Sequence, residues 1–133
     1  MTRVILVALL VTAAFLAACA TASPPLATSA GVDPAAATHN AEGIVEYNIG
    51  HWDVAKTHFE AAINTDPGLA EAHYNLALAL DKLGAHAEAT AHFKKAGELA
   101  PGYSAITNSS AYRSHVGPPK RDYGGSSGYG GMY

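Results

Sequence analysis

Residues 36–103 write one 34-residue pattern twice. Displaced by 34, His39 falls on His73, Gly50 on Gly84, Ala55 on Ala89, His58 on His92, Phe59 on Phe93, Ala62 on Ala96 and Pro67 on Pro101. A fixed period of this length means stacked supersecondary units, each touching only its neighbours. Each copy splits into two segments of helical spacing, divided by Gly50 or Gly84 and closed by Pro67 or Pro101. In the second copy Leu76, Leu80 and Leu83 recur at i, i+4 and i+7, and Ala72, Tyr74 and Ala79 widen that apolar face. The next segment, 85–100, sets Ala89, Phe93 and Ala96 on one stripe, and Pro101 stops it. Small residues at Ala55, Ala62, Ala89 and Ala96 let antiparallel helices approach closely, with Phe59 and Phe93 filling the space between them. The expected fold class is all-α: two helix hairpins, copies 36–69 and 70–103, forming a fragment of an α-solenoid.

Charge and composition exclude several functions. The repeat carries four lysines (Lys56, Lys82, Lys94, Lys95) against nine acids, 4 − 9 = −5, within a chain of formal net charge −3. An acidic module with no basic stripe has nothing to neutralise phosphates, so nucleic acid is not an expected partner. The templates for nucleophilic and metal catalysis fail as well: there is no phosphate-cradling glycine loop after a strand, no strand-to-helix nucleophile elbow and no HExxH. No catalytic residue is assigned, and no enzyme is expected. Glu42 and Glu46, at i and i+4, read as a solvated helix face.

Seven histidines raise the question of metal. His39 and His73, like His58 and His92, occupy equivalent positions, which in a solenoid lie on neighbouring units about 10 Å apart. Imidazoles sharing a zinc ion must each come within about 2.0–2.1 Å of it. With no HxxxH pair in a helix, the sequence predicts packing and surface histidines, with no metal site and no cofactor.

The N-terminus reads as an export signal. Met1, Thr2 and Arg3 give a positive start, and residues 4–16 are apolar but for one Thr. Thirteen residues cover roughly 20 Å, short of the roughly 30 Å hydrocarbon core of a bilayer, so residues 1–18 are expected to be a cleaved signal peptide. Leu16-Ala17-Ala18-Cys19 resembles the lipobox of bacterial lipoproteins. The resemblance implies cleavage before Cys19 and a covalent lipid on it, the chain's one expected attachment and its contact with a membrane. Ala20 beside it resembles the rule that sorts such proteins to the outer membrane, which places the chain in the cell envelope, facing the periplasm. Residues 19–35, rich in Ala, Ser, Thr and Pro and without an apolar period, are expected to be a flexible tether.

Ala70-Glu71-Ala72-His73-Tyr74-Asn75-Leu76-Ala77, then Lys82-Leu83-Gly84, Glu88-Ala89, Phe93-Lys94-Lys95-Ala96 and Leu99-Ala100-Pro101 resemble the tetratricopeptide repeat (TPR). The resemblance implies a concave groove for a peptide or helix of another protein. Its lining would be Ala37, Asn40, Ile44, Tyr47 and Asn48 from the first copy and Glu71, Tyr74, Leu78, Asp81 and Lys82 from the second, with Tyr47 and Tyr74 as anchors. Departures from the family pattern are His39 and His73 where it has Trp, Ala77 for Gly, Glu42 and Glu46 for apolar or aromatic residues, and Gly97 for Leu. A glycine inside a helix costs about 1 kcal/mol against Ala.

Solenoids usually need about three repeats, and this chain has two. The exposed ends call for a cap helix within 102–116, a partner or a second copy. From Gly117 the chain is a Gly/Tyr-rich, low-complexity tail, expected to be disordered. The leading expectation is a lipid-anchored adaptor or assembly factor of the envelope. A self-associating structural component, and a histidine-rich metal or haem carrier, are the alternatives.

Overall fold

The structure is a computed structural model that describes residues 23–118. The signal segment 1–18, Cys19 and the tail from residue 119 lie outside the described residues. Among the described residues six helices follow in order: α1 (Pro34–Asn48), α2 (Trp52–Thr65), α3 (Ala70–Lys82), α4 (His86–Leu99), α5 (Ser104–Thr107) and α6 (Ser110–Val116). None of them is long and apolar enough to cross a membrane. Helices α1 and α2 form one hairpin, α3 and α4 the next; α2 packs on α3, and α6 closes the open side of α4. This is the all-α two-hairpin arrangement that the repeat predicts.

Local chemistry sets the helix ends. Asp33 Oδ1 accepts from the backbone N–H of Ala35 at 2.8 Å and of Ala36 at 3.2 Å, and Pro34 opens α1 with its φ already helical. The first helix therefore starts two residues before the repeat boundary read from the sequence. Gly50 and Gly84 take φ of +90° and +81°, a region that side chains disfavour. After α3, Gly84 N–H donates to Asp81 O and Ala85 N–H to Leu80 O, which satisfies carbonyls the helix leaves open.

Phe59 and Phe93 are fully buried among Ala55, Ala62, Ala89 and Ala96. The first hairpin closes so tightly that a Cβ on Gly43 would stand 2.5 Å from Phe59 Cε1. Gly97 has a use that the sequence reading did not give it. It is not simply a weak point in α4: a Cβ there would meet the Tyr112 ring at 2.9 Å, so its bareness is what admits α6. The weak helix formers Thr107, Asn108, Ser109 and Ser110 likewise have a use. They break the cap into α5 and α6, and Ser109 Oγ accepts from Tyr112 N–H at 3.1 Å as the cap of α6. Ile106 and Tyr112 bury the cap against the second hairpin.

Helix α3 departs from its amphipathic pattern. Every residue from Ala70 to Leu80 is buried, whereas Leu83, read as part of the apolar face, is 45% exposed. A two-hairpin fragment leaves one face of α3 open, and here the chain ahead of α1 covers it.

Candidate peptide groove

Residues 23–30 hold no regular secondary structure and lie in the concave face as a strap. Asn75 grips the strap by its backbone: Leu26 N–H donates to Asn75 Oδ1 at 2.7 Å, and Asn75 Nδ2 donates to Leu26 O at 2.7 Å. Asn40 Nδ2 donates to the same carbonyl at 3.0 Å, and Asn75 Nδ2 also donates to Asn40 Oδ1 at 2.8 Å. Both amides are almost wholly buried, so each bond left unmade would cost about 1–3 kcal/mol. Further along, Ser29 donates its N–H and its hydroxyl to Glu71 Oε1 at 3.1 and 2.6 Å. At the other end Ser23 Oγ accepts from Ala111 N–H and shares a hydrogen bond with Ser110 Oγ.

A carboxamide that accepts from the N–H and donates to the C=O of one residue reads main chain, not side chain. At Leu26 the groove thus holds the main chain of an extended segment. The flexible tether expected over 19–35 is corrected for the part described, because residues 23–30 are docked. Their composition carried no apolar period because the strap is held through the Leu26 backbone and the hydroxyls of Ser23 and Ser29, with Leu26 packed on the core.

The groove residues expected from the sequence fall into three groups. Asn40 and Glu71 bond the strap. Tyr47, Leu78, Asp81 and Lys82, with Ser23, Ser110, Ala111 and Ser114, line a cleft of about 290 Å³ beside it, and Asn48 stands exposed near its mouth, by Pro24 and Pro25. Tyr74, Ile44 and Ala37 are not open lining. Tyr74 is 1% exposed and meets Phe93 edge-to-face at 5.6 Å, its hydroxyl held by Ser109 and Ser23 and its pKa raised by burial. Ile44 packs against the core, and Ala37 is half-buried. Burial also raises the pKa of Tyr47. Lys82 Nζ lies 5.8 Å above the Trp52 ring, a cation–π contact that extends the cleft wall. Asn75 escaped the sequence reading. Its one signal was a carboxamide inside the apolar run Leu76-Ala77-Leu78-Ala79-Leu80 and Tyr74, where a polar group needs a partner from elsewhere.

The histidines pair in a way the repeat spacing did not predict. Two close pairs join residues 19 apart across a hairpin, and a third, His86 and His115 with centroids 6.1 Å apart, joins α4 to α6. His39 and His58 have ring centroids 6.5 Å apart, and His73 and His92 stack at 5.4 Å. His73 Nε2–H donates to Pro67 O, which leaves a lone pair on Nδ1 to accept from His92 Nδ1–H at 3.1 Å. Burial lowers the pKa of both from the ordinary 6.5, opposed at His73 by the Pro67 carbonyl and at His92 by Glu88 and Glu60. Below pH 6.5 the unfolded chain then binds more protons than the folded one, so stability present above that pH is lost as pH falls. The thermal midpoint is expected to drop between pH of about 7.5 and 5, with His92→Gln flattening the slope. An unchanged slope in the variant would remove the pair from the account.

The family model of the tetratricopeptide repeat matches residues 40–104. No curated protein matches the chain. Repeats of this family are typically non-catalytic modules that bind other proteins.

Proposed function

Because the chain belongs to the tetratricopeptide-repeat family, we propose that it is an adaptor or assembly factor held at the bacterial envelope by a lipid on Cys19. Its groove captures an extended segment of a partner protein. The observation that supports this most is the two-way hydrogen bonding of the Leu26 peptide by Asn75. The strap is the resting occupant, and a partner with an extended segment competes for the same amides. Docking of Ser23 also shortens the anchor: four residues from Cys19 span at most about 14 Å, so the concave face works close to the membrane, on the periplasmic side of the outer membrane. Cys19→Ser is expected to leave an unprocessed precursor without membrane attachment; unchanged gel mobility and fractionation would remove the anchor.

A photo-crosslinking residue placed at Asn48 in cells tests the groove. One discrete adduct with another protein is expected, and it should strengthen when residues 24–29 are replaced by a glycine–serine stretch of equal length. Absence of any adduct in either background would reject the reading. Adducts only between copies of this chain would favour self-association, which the exposed Val45 (59%), Ile49 (60%) and Val54 (39%) of the first hairpin support.

A further inference from the structure

Asp81, His86 and His115 come from three helices and converge at one point. Asp81 lies in the last turn of α3, His86 opens α4 and His115 lies in the last turn of α6. Asp81 Oδ1 stands 2.8 Å from His86 Nδ1 and 3.0 Å from His115 Nε2. One ligand atom from each of the three residues lies within 4.8 Å of the other two.

The protons of this cluster can be placed. Thr90 Oγ1–H donates to His86 O at 2.8 Å, so the Thr90 oxygen is left to accept, and His115 Nδ1–H supplies the proton at 3.0 Å. In a neutral imidazole Nε2 then carries the lone pair. That lone pair faces a carboxylate oxygen at 3.0 Å. Two electron pairs at this separation repel, so in this tautomer a metal ion between them would relieve the contact, whereas the other tautomer, with Nε2–H donating to Asp81 and Thr90 O–H to Nδ1, gives up the Thr90 bond to His86 O. A histidine whose outer N–H is anchored on a protein oxygen while its other nitrogen points at the site is the arrangement metal ligands take. The carboxylate also sits at the negative end of the α3 dipole, where an anion is disfavoured until a cation joins it.

We propose that Asp81, His86 and His115 bind a divalent transition metal of the zinc class through two imidazoles and one carboxylate, leaving one position for water or an outside ligand. Tetrahedral ligand atoms at about 2.0–2.1 Å from zinc stand about 3.4 Å from one another. Reaching that spacing moves Asp81 Oδ1 about 0.6 Å away from His86 Nδ1 and about 0.4 Å away from His115 Nε2, and His86 has a side chain 68% exposed. The ion would rivet α6 to α3 and α4. Ser23 of the strap rests on Ser110 and Ala111 of the same α6, so metal binding and occupancy of the groove share one element.

The other mixed cluster, His39, Glu42 and His58, serves as the control. His39 Nδ1 stands 3.4 Å from Glu42 Oε2 and His58 Nδ1 3.1 Å, with no hydroxyl or carbonyl among the described residues bonded to either ring to set its proton.

Full-length protein, purified without a histidine tag and stripped with chelator, is titrated with Zn²⁺ by calorimetry and melted with and without it. One ion per chain is expected, with a raised thermal midpoint. His86→Ala and His115→Gln should each weaken binding at least tenfold, whereas His58→Ala should leave it unchanged. Co²⁺ should give the intense visible bands of four-coordination, lost in His86→Ala. His86→Ala is expected to fold, since that side chain is exposed. No heat and no thermal shift would overturn the proposal. So would binding that survives His86→Ala or disappears in His58→Ala.

Discussion

Phe93→Ala is expected to unfold most of the module near its working temperature. Phe93, on α4, is fully buried and joins α3 to the cap helix α6: Tyr74 at 5.6 Å, Tyr112 at 6.3 Å and His115 at 5.0 Å between centroids. Truncating a buried Phe costs about 3–5 kcal/mol through lost transfer energy and the cavity left behind. A domain of this size has about 5–15 kcal/mol in all, and two repeats place it toward the lower end. The thermal midpoint, followed by circular dichroism, should fall on the order of 20 °C. Leu83→Ala, at a side chain 45% exposed, should move it by no more than about 5 °C. Similar melts for the two variants would mean that the aromatic cluster does not hold the cap.

Asn75→Ala should release the strap and leave the hairpins standing. The substitution strips Leu26 N–H of its acceptor, leaves Leu26 O with Asn40 alone and orphans Asn40 Oδ1. Each buried group left unsatisfied costs about 1–3 kcal/mol, enough to shift local opening by roughly fivefold to more than a hundredfold. The amides of Leu26 and Ser29 should therefore exchange with solvent faster by that factor, while amides within α4 should keep their protection. Asn75→Asp should release the strap further, because a carboxylate would face Leu26 O and Asn40 Oδ1, both acceptors. If Leu26 and Ser29 exchange at the native rate in Asn75→Ala, the amide clamp does not hold the strap.

The hairpins were legible because they are written in local rules. Gly50 and Gly84 must take positive φ, Pro67 and Pro101 cannot continue a helix, and Phe59 and Phe93 recur among alanines at fixed offsets. The use of Gly97 was missed because it lies in what touches it, the Tyr112 ring of a helix made of weak helix formers. The histidine pairs were missed for a related reason. Equivalent positions sit one repeat apart in sequence, but folding back a hairpin brings together residues 19 apart, His39 with His58 and His73 with His92.

What the sequence by itself determined is the architecture: helix ends, hairpin turns and the apolar stripes that join them, all of which follow from residue type and spacing within some dozen positions. Only the tertiary structure decided what covers the concave face and which polar residues meet there. The bond between Leu26 and Asn75 spans 49 positions and is made to a peptide group that every residue carries. A contact of that kind selects for reach and an open backbone, and it leaves no pattern of side chains in the strap to be read.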